Sequence, residues 1–514
     1  MEPDEGIVLQ GAQRILHGEV LYRDFFSFFT PGSYYLLAFL FNIFGSSIVV
    51  ARSALAVFGA IYSVLTYLLA RRVCSRLSSA FVASLVTLTT LPYRFLVLHN
   101  WDSTLWACLS LYCAIRLLES DQRTWAFAVG SFASLTFLFE QSKGAGLVLG
   151  LGVGFLAIAF VGPGDRCLRK YQPGTIVLGL AWPLAATFAY FGTQQGLPTM
   201  LHDWLWPLQH YSRANHVPYG YLGWSDSTRH ALFGRGLLLA RLFYALTFSP
   251  FFVIPILPLL AVGLLVYWTL QMRRQSAASG KCHYYILVCA VLSGLLLSIV
   301  VARADIIHFI YLQPLFCLVL AWIVDGRDNP GRLLKSVRPA VIVFISASFL
   351  ALSLPLLMRA ARAPYWIETR RGTIKTPAKD TVIGYTQAHL AAGETLFVYP
   401  YLPLYYYLTG TFSPFRYEYF QPGMNTTAQA HEILSQLASR RVPTVLLEPS
   451  FPEKIPNSWP GTPLAAITHD PIADYVVREY RTCAILQSPE RWKFLFLVRR
   501  NLACPDSPAG FNPL

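Results

Sequence analysis

A chain of 514 residues with 54% hydrophobic and only 13% charged side chains carries about half the charge of an ordinary soluble domain, and its long apolar runs place it among polytopic membrane proteins. The formal net charge of +14 does not signal nucleic acid, because Lys and Arg fall at the ends of apolar segments and not in one patch interleaved with aromatics. Seven of the nine cysteines lie in or beside apolar segments as small hydrophobes, and none belongs to a Cys/His set with zinc spacing.

The chain opens on an acidic pair, Asp4-Glu5, and places a second charged cluster, Arg23-Asp24, before a Thr30-Pro31-Gly32 turn. Such a stretch is either a solvated leader or an aqueous loop set against a membrane. Residues 33–45 are apolar but too short to cross a bilayer, and they read as an interfacial helix. Ten segments then have the length and apolarity of spans: 53–70, 77–93, 101–118, 124–139, 145–161, 175–191, 250–270, 284–301, 306–324 and 340–357. The stretch 237–270 has room for two spans; it is taken as one span preceded by a surface helix. The loops after the odd-numbered spans hold fourteen basic residues, among them Arg71, Arg72, Arg166, Arg169, Lys170 and Arg327, against seven in the alternate loops. The positive-inside rule therefore makes the odd loops cytoplasmic, and the amino terminus and the tail after 358 extracytoplasmic.

At the external ends of these spans ionisable groups collect. His99 and Asp102 stand where the third span begins, and Glu140, Gln141 and Lys143 fill the turn between the fourth and fifth. Arg303, Asp305 and His308 surround the turn between the eighth and ninth, and Arg52 opens the first. Each has a structural reading: a helix cap at His99 and Asp102, a snorkelling Lys143, an Arg303–Asp305 salt bridge. Four clusters at one depth argue more strongly for a cavity, since charge at membrane depth is costly and tends to line functional sites. The external loop 192–249 adds Trp204, Trp206, Tyr211, Tyr219, Tyr221 and Trp224, a membrane-interface belt or a set of stacking faces for sugars; Tyr211 and Tyr219 are the candidate sugar contacts.

After residue 358 the apolar runs stop. Helices are predicted at 381–392, 427–440 and 472–480, and strands at 395–398, 444–447, 483–486 and 493–498, which together read as a small α/β domain. Cys483 and Cys504 lie in this polar region and would pair in an oxidising compartment. Residues 425–427, Asn-Thr-Thr, match a glycosylation acceptor. The expected fold class is thus mainly α, a polytopic helical membrane protein with a C-terminal soluble α/β domain. The division is 1–52 as an external loop with the acidic pair and interfacial helices, 53–358 as a transmembrane domain of about ten helices, and 359–514 as the extracytoplasmic domain.

A transferase on the outer side of a plasma membrane has no nucleotide-activated sugar at hand, so its donor must arrive on a carrier such as a polyprenyl phosphate. Its site needs a carboxylate to take the acceptor's hydroxyl proton and cations where negative charge develops on the leaving phosphate. Asp4 or Glu5 supplies the first; Arg52, Lys143, Arg303 and His308 are candidates for the second.

The stretch Pro3-Asp4-Glu5-Gly6, Ala12, Arg14, Gly18, Tyr22-Arg23-Asp24-Phe25, Thr30-Pro31-Gly32-Ser33-Tyr34-Tyr35, followed by Gly45-Ser46-Ser47 and Ala51-Arg52, resembles the first external loop of GT-C glycosyltransferases. Within that class it is most similar to bacterial relatives of the protein O-mannosyltransferases and to the lipid A aminoarabinose transferase. The resemblance covers residues 1–358, is most specific over the first fifty-two, and extends to Arg303-Ala304-Asp305 with His308. It implies an inverting transfer from a polyprenyl-phosphate sugar to a lipid, glycan or protein acceptor, with Asp4 as base and Glu5 in support. Arg23, Asp24, Arg52, His99, Asp102, Gln141, Lys143, Tyr211, Tyr219, Arg303, Asp305 and His308 form the expected substrate-binding set. Some members use a divalent metal ion and others none. In such proteins a span precedes the acidic loop, and one upstream of Met1 is the expectation here. A multi-span transporter or flippase, with charges lining the bilayer midplane, and a non-catalytic scaffold of the same fold are the alternatives.

Overall fold

A computed structural model describes residues 3–161, 172–221, 226–234, 236–274, 281–325, 332–421 and 424–505. Arg166, Arg169, Lys170 and Arg327, used above for orientation, and Trp224 lie outside the described residues.

Asp4 and Glu5 occupy the first turn of helix α1 (Pro3–Leu16), where the unpaired backbone N–H groups favour acidic side chains, and not a loop. Helix α2 (Gly32–Phe44) is the predicted interfacial segment. Helix α3 (Ile48–Val73) begins at Ser47, whose side chain accepts the Val49 N–H, and carries Arg71 and Arg72 in its last turn. There follow α4 (Arg76–Thr89), α5 (His99–Ser120), α6 (Arg123–Phe139), α7 (Gln141–Val161) and α8 (Gln172–Thr193). The loop predicted as external forms α9 (Leu197–Trp206), a π-helical turn at Pro207–Tyr211, α10 (Ser212–Asn215) and α11 (Asp226–Phe233). The bundle closes with α12 (Leu238–Phe248), α13 (Pro250–Arg274), α14 (Lys281–Ala302), α15 (Ile306–Tyr311), α16 (Gln313–Asp325) and α17 (Arg332–Ala361).

Every predicted span falls on a helix, yet only six helices are long and apolar enough to cross a membrane among the described residues: α3, α7, α8, the run Leu238–Arg273, α14 and α17. At about 1.5 Å per residue, α4 and α16 reach only about 20 Å, short of a hydrocarbon core of about 30 Å. Helix α5 is long but carries Asp102, Arg116 and Glu119, and its buried residues pack against protein, so it has no need of an all-apolar surface. The segment predicted as one span at 306–324 breaks at Leu312, because Pro314 has no N–H to continue the helix from Ile310. Helices α12 and α13 meet at Ser249 within one apolar run and do not form a hairpin of two spans.

Helices α7 and α14 touch backbone to backbone. Gly146, Gly150 and Gly154 recur every fourth residue along α7; the first two face Gly294 of α14, and Gly154 faces Leu287 and Ala290 of the same helix. A Cβ on Gly294 would sit 2.1 Å from the Gly146 carbonyl oxygen, so only a bare ridge permits this approach.

Beyond α17 come a hairpin, β1 (Tyr365–Thr369) and β2 (Gly372–Thr376), then α18 (Val382–His389), β3 (Phe397–Tyr399), α19 (Leu404–Thr409), α20 (Thr427–Arg440), β4 (Thr444–Leu447), α21 (Phe451–Ser458), α22 (Leu464–Thr468), α23 (Pro471–Glu479), β5 (Tyr480–Gln487) and β6 (Lys493–Arg499). The sheet runs β3-β4-β6-β5, with β3 parallel to β4 and the remaining pairs antiparallel. The hairpin is pinned to the start of α3 by the Ile48 N–H donating to Arg371 O at 2.9 Å. Cys483 and Cys504 form a disulfide across 21 residues. Thr426 and Gln429 cap α20 reciprocally, which accounts for the Asn-Thr-Thr match by helix initiation.

Two further ties join this segment to the bundle. Arg14 of α1, buried, pairs with buried Glu418 at 3.1 Å and donates to Phe415 O at 3.0 Å. Arg303 reaches Ser458 O at 2.5 Å. At the opposite end of the bundle Arg72 and Arg116 share Glu119, and Asp325 accepts from Ser75 N–H and the Ser78 hydroxyl.

Candidate functional site

The two members of the acidic pair have different surroundings. Glu5 is fully buried; it accepts Arg52 Nε at 3.2 Å, an Arg52 terminal nitrogen at 2.9 Å and the Val97 N–H at 3.2 Å. Asp4 remains open, its side chain 42% exposed. Its Oδ1 accepts the Tyr401 hydroxyl at 3.0 Å, and its Oδ2 lies 3.8 Å from Arg94. Gly6 explains how Tyr401 arrives: a Cβ there would sit 2.1 Å from the Leu404 backbone nitrogen, so the bare glycine lets α19 and the chain leading into it press against α1.

Arg94 also donates to the Tyr311 hydroxyl at 2.7 Å, and the Tyr311 ring lies 5.6 Å from Lys143 Nζ. Lys143 is buried, paired with Glu140 at 2.8 Å and bonded to Asn100 O at 2.9 Å. His99, its ring 4.2 Å from Phe29, and His308 share the electrostatic surroundings of Glu140. Asp102 accepts the Ser33 hydroxyl at 2.5 Å, joining α5 to α2. Arg303 spans Asp305 at 2.5 Å and Asn215 at 2.8 Å, while His308 Nδ1 lies 2.7 Å from Asp305. Burial alone would raise the Asp305 carboxyl, but His308 and Arg303 outweigh it and hold it well below the usual carboxylate range.

The clusters expected at one depth are therefore neighbours at one end of the bundle. Their cations, however, are largely committed: Arg52 to Glu5, Lys143 to Glu140 and Arg303 to Asp305. Gln141 donates to Phe28 O at 3.1 Å and helps fix the turn above Lys143. Tyr211 stands beside Asp4 and Arg303, accepts the Trp459 indole N–H at 2.9 Å, and burial pushes its phenol up to about 12.

Three candidates have other surroundings. Arg23 and Asp24 form their own pair at 2.7 Å, with Asp24 also accepting the Val20 N–H. Tyr219 donates to Pro255 O at 2.6 Å and lies edge-on to Phe309, tying the segment after α10 to α13. Sequence reasoning passed over Arg94, Tyr311, Tyr401 and Trp459, since nothing in a lone tyrosine about 400 residues from Asp4 signals the contact. Among the described residues no three His, Cys, Asp or Glu side chains come together to hold a metal ion.

Residues 29–191 match the family described as dolichyl-phosphate-mannose-protein mannosyltransferase. A search of curated proteins finds no match. ArnT from Cupriavidus metallidurans, in its structure bound to undecaprenyl phosphate, has a TM-score of 0.53 at 12% identity, over 98% of this chain and 95% of that one. Apo ArnT gives 0.51 at 13% identity over the same shares, 98% and 95%. The apo oligosaccharyltransferase of Archaeoglobus fulgidus gives 0.47 at 11%, over 98% of this chain and 71% of that one, too weak a likeness to argue from. The chain is thus an integral membrane protein with the GT-C glycosyltransferase fold, and its first spans resemble the protein mannosyltransferases.

Proposed function

We propose that this protein transfers a sugar from a polyprenyl-phosphate donor to a hydroxyl-bearing acceptor at the extracytoplasmic face of the plasma membrane, with Asp4 as general base. The observation that carries the reading is the contrast within the acidic pair: Glu5 is sealed by three donors, while Asp4 keeps an accessible carboxylate oriented by Tyr401 and neighbouring Arg94. Asp4 takes the acceptor's proton as the acceptor oxygen attacks the anomeric carbon. The carbon–oxygen bond to phosphate breaks, and the polyprenyl phosphate leaves with the electron pair. A double displacement would need a second carboxylate as nucleophile, and Glu5 is engaged, so one displacement with inversion is the outcome. Arg94 is the cation through which the leaving phosphate is met, with His308 as a hydrogen-bonding partner and Arg52, Lys143 and Arg303 setting the field around them. The shared end of α1 and the sheet-bearing segment supports their lying in one compartment.

The test is transfer from radiolabelled polyprenyl-phosphate sugars by membranes carrying the full chain. Asp4→Asn should lower turnover by about 10²–10⁴-fold with donor affinity kept. An Asp4→Asn variant as active as the parent would remove Asp4 from the mechanism.

A further inference from the structure

A cavity that Asp4 does not line lies between α9 with its following π-helical turn and the sheet-bearing segment. Its volume is 340 Å³, enough for a sugar ring, and its walls include Phe26, Asp203, Trp206, His210, Arg416 and Tyr417. Three polar atoms in these walls are buried without a hydrogen-bond partner among the described residues: Asp203 Oδ2, Arg416 Nε and His210 Nδ1. Asp203 is only 1% exposed, and an Arg416 terminal nitrogen stands 3.6 Å from that oxygen, beyond hydrogen-bond reach, so the oxygen keeps its capacity to accept from a ligand. That burial pushes its carboxyl up to about 6, against the opposing pull of His202 and Arg416.

The chemistry of the three atoms is complementary. Asp203 asks for a donor, Arg416 for an acceptor, and the imidazole of His210, stacked on Trp206 at 3.9 Å, takes either. Adjacent hydroxyls on one sugar ring satisfy such a set, one donating to the carboxylate while its neighbour accepts from the guanidinium. Arg416 and Asp203 stand 3.6 Å apart, so an anion entering the cavity would meet the carboxylate as well as the guanidinium. A line of rings then leads toward the reacting carboxylate. Phe26 meets Trp206 at 5.4 Å and Tyr419 at 6.3 Å, Tyr419 meets Tyr401 at 6.0 Å, and Tyr401 holds Asp4.

We propose that this cavity binds an uncharged sugar residue of a glycan acceptor, remote from the residue that receives the transferred sugar. Its role as an acceptor subsite rests on the transferase reading above; its capacity to bind sugar does not. Saturation-transfer NMR on the detergent-solubilised full chain, with a panel of neutral methyl glycosides and no donor present, tests it. At least one glycoside should bind the parent, and Asp203→Asn and His210→Phe should each weaken it by about tenfold. The second substitution keeps a ring on Trp206 and removes only the nitrogens. Asp4→Asn should bind as the parent does. No glycoside bound, variants indistinguishable from the parent, or binding confined to acidic sugars and inorganic phosphate would each overturn the proposal. Glycoside binding with no transfer from any donor would sink the transferase reading and leave the cavity standing; transfer without glycoside binding would do the reverse.

Discussion

Replacing Arg52 by Met strips Glu5 of two of its three donors while keeping much of the side chain's apolar length. Removing one partner of a buried ion pair costs about 3–5 kcal/mol, because the remaining charge is left without compensation. Arg52 is 30% exposed and water reaches the gap, so the lower end applies, about 3 kcal/mol. Glu5 neighbours Asp4 on α1, and a base displaced by about 1 Å loses about 10²-fold in rate, so transfer should fall by that factor. Replacing both partners, Glu5→Leu with Arg52→Met, removes the stranded charge. The double variant should regain most of the lost stability and lose only the Val97 contact. The assay is a double-mutant cycle of thermal unfolding in detergent beside transfer from labelled donor. If the double variant is no more stable than the sum of the single losses, Glu5 and Arg52 do not act as a pair and the account of α1's anchorage fails.

Three further outcomes follow from other contacts. Tyr401→Phe keeps the ring packed on Phe451 and removes the bond to Asp4, so kcat should fall about tenfold with the KM for donor unchanged; an equal rise in KM would assign Tyr401 to donor binding. Gly294→Val drives side-chain atoms into the Gly146 carbonyl and should cost about 3 kcal/mol in unfolding, whereas Gly152→Val, with open space around it, should be silent. Burial pushes the Asp380 carboxyl up to about 6, above its unfolded value of about 3.9, so the folded state holds the proton more tightly. The stability this gives is fully present below about pH 4 and lost as pH rises through about 6, a fall of about 3 kcal/mol. Hydrogen exchange of the β3–β6 amides should show that slope in the parent and not in Asp380→Asn.

The sequence was most legible where one physical signal dominated. Apolar length found the long helices of the bundle, and a short apolar run found β4 at its observed limits, Thr444–Leu447. Length read α5 and α6 as spans, but α5 carries Asp102, Arg116 and Glu119 and α6 has 17 residues, so neither is among the six helices long and apolar enough to cross a membrane among the described residues. The hairpin of β1 and β2 went unseen, since Trp366 and Ile367 form too short an apolar run to announce a strand. Within the candidate site, the acidic pair and the charged turns stood out because ionisable groups are rare beside long apolar runs. Which cation serves which carboxylate did not, because Arg52, Lys143 and Arg303 look alike in a string and differ only in the neighbour that folding brings them.

The hydroxyl that steadies Asp4 belongs to the sheet-bearing segment, and so does Glu418, the counter-charge of Arg14. On the proposed function, a chain cut after α17 would therefore lose more than a cap. It would leave Arg14 with Glu19 as its carboxylate partner in place of Glu418, and Asp4, about three turns away at the start of the same helix, without the Tyr401 hydroxyl. The outer layer finishes the chemistry of the inner one, so exchanging it between related proteins should fail unless α1 travels with it.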